Sequence, residues 1–78
     1  MKSKTLLSGC EKGSVATVIK NNAAGALKQR LISFGLMRGS RIEILECSIA
    51  KKTIEIRVDK MVIALRNEEA ELIEVEYE

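Results

Sequence analysis

The sequence predicts a mainly β fold: a small barrel of five short strands, with one α-helix inserted after the first strand and a short helical turn before the last. Segments of 5 to 7 residues alternate apolar and polar side chains or are rich in β-branched types, which is typical of strands. Glycine, asparagine and aspartate separate these segments and predict turns. Strands this short close most economically into a barrel, because closure removes exposed sheet edges.

The chain has the size of one domain. Its 78 residues are 46% apolar and 31% charged, which suits a globular domain that buries about 60% of its unfolded surface. Phe34 and Tyr77 are the only aromatic residues, so the core must consist of Leu, Ile and Val. We expect a single domain over residues 1–78.

Neither a membrane span nor a secretory leader is predicted. The longest apolar runs, such as 61–65, are far shorter than the roughly 20 residues that a bilayer requires. The N-terminus carries lysines but lacks the apolar centre of a signal peptide. We therefore expect a cytoplasmic protein.

The first strand and the helix are predicted between residues 14 and 34. Residues 14–20 are rich in β-branched types, and Asn21 or Asn22 is the expected helix N-cap. The helix presents one apolar stripe to the core and a polar face to solvent. The stripe consists of Leu27, Leu31 and Phe34, and the polar face of Lys28, Gln29 and Arg30.

Two glycines follow the helix and are expected to be structural. Gly35 fits the left-handed C′ position, with Leu36 at C″ contacting Leu31 in a Schellman motif. Residues 37–40 then form a turn in which Gly39 is free to adopt a positive φ.

Three of the remaining strands are predicted from alternation along 41–47, 53–58 and 72–78, and residues 61–65 are predicted as a short, continuously apolar strand. Residues 66–70 form a helical turn capped by Asn67. The side chains predicted to face the core are Ile42, Ile44, Ile54, Ile56, Val58, Ile73, Val75 and Tyr77.

Cysteine usage indicates free thiols. Cys10 and Cys47 are far apart in the sequence and His is absent, so neither a metal site nor a cofactor is expected. Two alternatives stay open. Either thiol with Glu11 or Glu46 could bind a soft metal, and the six Glu residues within 68–78, which we interpret as a solvent-facing strand side, could bind a cation.

Charge is divided between the two halves of the chain. Residues 1–41 carry eight Lys or Arg against one Glu, whereas residues 42–78 carry five basic against ten acidic residues. Such polarity can steer association with a charged partner, although the halves can also compensate each other after folding.

Three motifs, taken in order, resemble the FeoA family of small ferrous iron transport proteins. They are G-x-x-A-T-V at 13–18, L-x-x-R-L-x-x-F-G-L-x-x-G-S at 27–40 and I-A-L-R-x-x-E-A-x-x-I-x-V at 63–75. The resemblance runs from about Leu6 to Tyr77. It implies an SH3-like barrel that works beside FeoB, a membrane permease whose own chain carries a cytoplasmic GTPase domain.

Two other functions stay open beside this resemblance. The SH3-like domain of iron-dependent repressors of the diphtheria toxin repressor type is similar in pattern. A nucleic-acid-binding barrel would need stacking aromatics beside its basic residues, and these are missing, so no nucleic acid is expected as a partner. The basic residues concerned are Lys2, Lys4, Lys12, Lys20, Lys28, Arg30, Arg38 and Arg41.

Catalysis is not predicted. General acid–base chemistry needs His or desolvated carboxylates, whereas His is absent and the Glu residues fall on predicted strand exteriors. No G-x-x-x-x-G-K-[ST] sequence is present to bind a nucleotide, so GTP hydrolysis would belong to a partner.

Protein docking is the function that remains, and its predicted site is the connection from the helix to the next strand. Leu36, Met37 and Arg38 would project beside Lys28 and Arg30, as an apolar patch ringed by basic residues. Alternatively, Leu36 only closes the helix and Met37 fills a core gap. The resemblance implies FeoB as the partner. We expect a monomer or weak oligomer that reaches the inner face of the membrane only through FeoB.

Overall fold

The computed structural model describes residues 4–50 and 52–77, so Lys2 and Glu78 of the predicted basic and acidic sets lie outside it. The described residues form six strands, two α-helices and a 3-10 turn at Leu7–Gly9. Within these ranges, no helix is long and apolar enough to cross a membrane. The elements are β1 (Lys4–Leu6), β2 (Val15–Asn21), α1 (Gly25–Ser33), β3 (Arg41–Ser48), β4 (Thr53–Val58), β5 (Met61–Arg66), α2 (Asn67–Ala70) and β6 (Ile73–Tyr77).

The strands join one antiparallel sheet in the order β1-β6-β2-β3-β4-β5, which confirms the predicted mainly β class. Six strands are described, not the predicted five. The missed strand, β1, has only three residues, too few to show alternation, and its position is set by its pairing with β6 at Thr5 and Val75. Closure of the barrel would require β1 to pair with β5. No such pairing occurs among the described residues, so full closure stays a prediction.

The predicted alternation builds the core. Tyr77, at the end of β6, is half-buried and packs against this core. Glu74 and Glu76, predicted to face solvent, are only partly exposed. The fully or nearly fully buried strand residues are Ala16, Val18, Ile42, Ile44, Ile54, Ile56, Val58, Ile63, Leu65, Ile73 and Val75.

Strand β3 contains an extra residue that changes which face its later side chains occupy. The pairing with β4 skips Leu45 between Ile44 and Glu46. One surplus residue on one strand is a β-bulge, which bends the strand and shifts its alternation. Beyond the bulge Cys47 lies opposite the buried Ile54, and cross-strand partners share a face, so Cys47 is on the core side of the sheet.

Helix α1 ends in the predicted Schellman motif. The N–H of Leu36 donates to the carbonyl of Leu31 at 3.0 Å, and the N–H of Gly35 donates to the carbonyl of Ile32 at 2.9 Å. Gly35 has a φ of +97°, and Gly39 in the next turn has a φ of +93°, as predicted for both glycines.

The predicted N-cap of α1 is wrong. Ala24 is the N-cap, and no side chain caps the helix there. The two asparagines are engaged elsewhere: the Asn21 Oδ1 accepts from the N–H of Ala23 at 3.0 Å, and the Asn22 Nδ2 donates to the Glu74 carboxylate at 2.7 Å.

The predicted cap of α2 is wrong by one position. Asn67 is the first residue of α2, and Arg66 is its N-cap. The N–H of Arg66 donates to the Glu69 Oε1 at 3.0 Å. A carboxylate inside the first turn therefore satisfies the backbone at the start of this helix.

Candidate functional site

A shallow groove lies where β2, α1 and the turn after α1 meet. Its lining combines three apolar residues, three cations, one amide and one carboxylate. The lining residues are Ile19, Lys20, Asn21, Lys28, Ile32, Met37, Arg38 and Glu74.

The turn at 37–40 is held against β2 by backbone hydrogen bonds. The N–H of Gly39 donates to the carbonyl of Val18 at 2.8 Å, and the N–H of Val18 donates to the carbonyl of Ser40 at 2.7 Å. Because the N–H and the carbonyl of Val18 both bind the turn, the backbone that carries Met37 and Arg38 is held in a fixed position on β2.

The groove carries positive charge that is available to a partner. Lys20, Lys28 and Arg38 are exposed, and none of them takes part in the ion pairs of the described residues. Met37 stands beside them with 51% of its surface exposed. The carboxylate of the lining, Glu74, accepts the hydrogen bond from Asn22. The result is an apolar surface with a cationic rim.

Three of the five residues predicted for docking line this groove together, namely Lys28, Met37 and Arg38. Leu36 does not, because the Schellman closure directs it into the core, where it is fully buried. The alternative that Leu36 closes the helix is therefore the correct one, and its assignment to an exposed patch was wrong. Arg30 is exposed but outside the groove lining, and its guanidinium binds the Glu69 carboxylate.

The residues expected to be structural differ in how tightly they are constrained. Leu31 is fully buried, whereas Leu27 and Phe34 are partly buried and pack against the core. A Cβ added at Gly35 would lie 2.9 Å from the Val58 Cγ1, whereas one added at Gly39 would meet open space. Gly35 is therefore required both for its φ and for a close approach, and Gly39 for its φ alone.

Five lining residues were not predicted as site residues: Ile19, Lys20, Asn21, Ile32 and Glu74. Ile32 follows Lys28 by four positions, which places both on one face of α1, and this spacing could have revealed it. Ile19 and Lys20 carry no local signal, because the contact between β2 and the turn joins distant parts of the chain.

A second cluster contains both cysteines, which are free thiols. The Cys47 Sγ donates to the carbonyl oxygen of Cys10 at 3.4 Å. Burial raises the pKa of the Cys10 thiol, and burial with the nearby Glu46 carboxylate raises the pKa of the Cys47 thiol. Glu46 itself pairs with Lys12 at 3.1 Å. No group of three or more His, Cys, Asp and Glu side chains able to hold a metal ion occurs among residues 4–50 and 52–77.

The sheet, its single long helix and the groove define a small antiparallel β domain of the SH3-like class. The sequence model of the FeoA domain matches residues 5–77, so the chain belongs to the FeoA domain family. FeoA proteins are ferrous iron transport proteins, and the family indicated by the three sequence motifs is confirmed.

Two relatives show the range of this family. Fe(2+) transport protein A of Campylobacter jejuni is 33% identical over 69 residues, which cover 88% of this chain and 93% of that protein. A Porphyromonas gingivalis protein is a fusion of Fe(2+) transport protein A with the Fe(2+) transporter FeoB. It is 27% identical over 70 residues, which cover 90% of this chain and 8% of the fusion.

Solved structures agree with the architecture. The FeoA protein of Chlorobium tepidum is 32% identical, with a TM-score of 0.87 over 94% of this chain and 70% of that chain. FeoA of Stenotrophomonas maltophilia, described as a prokaryotic SH3 domain protein, is 21% identical, with a TM-score of 0.80 over 91% and 88% of the two chains. A manganese-dependent transcriptional repressor is 22% identical, with a TM-score of 0.86 over 96% of this chain and 42% of that chain. The last two likenesses show the fold alone.

Proposed function

We propose that this FeoA domain is a non-catalytic accessory of ferrous iron uptake, which docks on the cytoplasmic part of a FeoB permease and biases its conformational or nucleotide cycle. The groove formed by β2, α1 and the 37–40 turn is the docking surface. The observation that carries the proposal is the set of three exposed cations, which form no ion pair among the described residues, around a partly exposed apolar lining in this groove.

The fusion in Porphyromonas gingivalis supports FeoB as the partner. Covalent linkage keeps two modules at a high effective concentration, which favours complex formation even when their contact is weak. A FeoA domain joined to FeoB in one chain is thus suited to act on the transporter directly.

The chemistry of the groove supports one kind of contact. Ile19, Ile32 and Met37 offer an apolar surface, and the three cations around it repel a basic partner. The matching segment of FeoB presents apolar side chains flanked by carboxylates. A regulator must also bind two states of its partner with different affinities, so the contact changes between the nucleotide states of FeoB.

Binding to the soluble nucleotide-binding part of FeoB from the same organism tests this proposal. We expect the double variant Lys28→Glu/Arg38→Glu to bind about tenfold more weakly or worse, with its thermal midpoint nearly unchanged, because both residues are exposed. The matched control is Lys52→Glu/Lys60→Glu, which makes the same charge change at exposed positions outside the groove. It should bind within about threefold of the parent.

Two results would overturn the proposal. One is the absence of binding in every nucleotide state of FeoB. The other is an equal loss of affinity in both double variants, which would mean that net charge and not the groove decides the contact.

The remaining parts of the proposal follow from the same assignment. GTP hydrolysis and iron passage belong to FeoB, and this domain works in the cytoplasm at the inner face of the membrane, as a monomer or weak oligomer. Nucleic-acid binding lacks support because Phe34 and Tyr77 both pack against the core and offer no stacking platform. A repressor function has the likeness of fold as its only support.

A further inference from the structure

Cys10 and Cys47 are 37 positions apart in the chain but adjacent in the fold. Cys10 follows the 3-10 turn at Leu7–Gly9, and Cys47 lies on β3 just beyond the bulge at Leu45. The bulge brings Cys47 to the core side of the sheet, where its Sγ donates to the carbonyl oxygen of Cys10 at 3.4 Å.

The Cys47 thiol lies close to the backbone of Cys10. A carbonyl oxygen lies about 2.4 Å from the Cα of its own residue, so the Cys47 Sγ is within about 6 Å of the Cys10 Cα. A disulfide requires the two Cα atoms to be about 4.4 to 6.8 Å apart and the two Sγ atoms about 2 Å apart, so the Cys10 side chain must rotate toward Cys47 for the bond to form. The Cys10 Sγ now faces the carbonyl of Leu6 at 3.8 Å and shares a hydrogen bond with the Tyr77 phenol, so formation of the disulfide requires this side chain to leave both partners.

We propose that Cys10 and Cys47 form a reversible internal disulfide when the protein meets a small-molecule disulfide. The Cys47 thiolate attacks one sulfur of the oxidant, which releases one thiolate and leaves a mixed disulfide on Cys47. The Cys10 thiolate then attacks the Cys47 sulfur and releases the second thiolate. Two protein thiols are oxidised, one disulfide is reduced to two thiols, and the two protons move from the cysteines to the released thiolates.

The order of the two steps follows from exposure. Cys47 is exposed and can meet the oxidant, whereas Cys10 is 5% exposed and needs to reach only its neighbour. The raised pKa of both thiols keeps them protonated at neutral pH, so the reaction becomes faster as pH rises.

The bond would join parts of the sheet that are not neighbours. Strands β6 and β2 stand between β1 and β3 in the sheet order. Oxidation therefore ties the segment after β1 directly to β3, a link that does not depend on the proposed docking function.

Oxidation of the full chain by glutathione disulfide, at low micromolar protein concentration and mildly alkaline pH, tests the inference. The intact mass should fall by two hydrogen atoms, peptide mapping should find Cys10 linked to Cys47, and dithiothreitol should restore the original mass. Cys10→Ser should stop at the glutathione adduct on Cys47. Cys47→Ser should react at least about tenfold more slowly, because the remaining thiol is buried.

Two outcomes would overturn the inference, with circular dichroism verifying that both serine variants are folded. One is a parent protein that accumulates the Cys47 adduct without closing the internal bond. The other is a parent protein that forms only disulfide-linked dimers.

Discussion

Glu69 joins the two helices through both oxygens of its carboxylate. Oε2 accepts a hydrogen bond from the Arg30 guanidinium on α1, and Oε1 accepts one from the backbone N–H of Arg66 at the start of α2. The Glu69 side chain is 14% exposed and that of Arg30 is 53% exposed. A four-residue helix such as α2 cannot persist by itself, so these two bonds help to fix it in place.

The first prediction concerns how much each of the two Glu69 hydrogen bonds contributes to the free energy of unfolding. Glu69→Ala removes both and should lower the free energy of unfolding by about 1–2 kcal/mol. Arg30→Ala removes only the ion pair, whose Arg side is solvent-exposed, and should cost about 0.5–1 kcal/mol. Urea denaturation of both single variants and the double variant measures these values. Equal losses in the two single variants would show that the bond to Arg66 contributes nothing.

The two glycines after α1 should differ in their sensitivity to alanine. Gly39→Ala places a side chain at positive φ in open space and should cost about 1–2 kcal/mol. Gly35→Ala adds to this a Cβ 2.9 Å from Val58 Cγ1, so we expect about 2–4 kcal/mol in total. Thermal or urea denaturation of the pair tests the difference, and equal values would mean that Val58 moves aside without cost.

Leu36 and Met37 are adjacent in the connection after α1, but substitution of Leu36 should affect mainly stability and substitution of Met37 mainly binding. Leu36→Ala empties a fully buried position and should cost about 2–5 kcal/mol. Met37→Ala changes a half-exposed residue and should cost less than about 1 kcal/mol while weakening binding to FeoB. Denaturation and binding measured on both variants test this division. A Met37→Ala variant as unstable as Leu36→Ala would show that Met37 is part of the core.

Titration of the single tyrosine gives a prediction about pH. Burial, then the hydrogen bond with Cys10, raises the pKa of Tyr77 from its ordinary value of 10.0 to about 12. The folded chain thus favours the neutral phenol. Its contribution to stability is complete below pH 10.0 and is lost as pH rises through about 12.

Absorbance of the tyrosinate reports this titration directly, because the chain contains one Tyr and no Trp. The midpoint should lie near 12 in the folded protein and near 10.0 in denaturant. Cys10→Ala should lower the folded midpoint only partly, since burial is the larger cause. A folded midpoint equal to the denatured one would contradict the prediction.

The parts of the fold that could be predicted from the sequence are those encoded locally. The end of α1 is one example, because Gly35 and Leu36 fix the Schellman closure within a few residues of Leu31. Strands β3, β4 and β6 are another, because one face of each is buried and their alternation is plain in the sequence.

The parts that could not be predicted depend on distant contacts. The Asn22 side chain donates a hydrogen bond to the Glu74 carboxylate and does not cap α1. Strand β1 forms because it pairs with β6, which is distant in the sequence. In the candidate site, the connection after α1 indicated Met37 and Arg38, whereas the contribution of Lys20 needs the docking of the turn on β2. Local pattern therefore identified three of the eight residues that line the groove.

The surplus residue at Leu45 changes how the thiol pair is to be recognised in other chains. Counting alternate positions from the buried Ile44 would send Cys47 outward, yet the skipped residue returns it to the side of Cys10. In a relative whose β3 lacks the bulge, a cysteine on the core side would follow the residue equivalent to Ile44 by two positions. In this chain Cys47 follows Ile44 by three. In a sequence alignment, a gap placed at Leu45 thus decides whether two aligned cysteines occupy the same place in the fold.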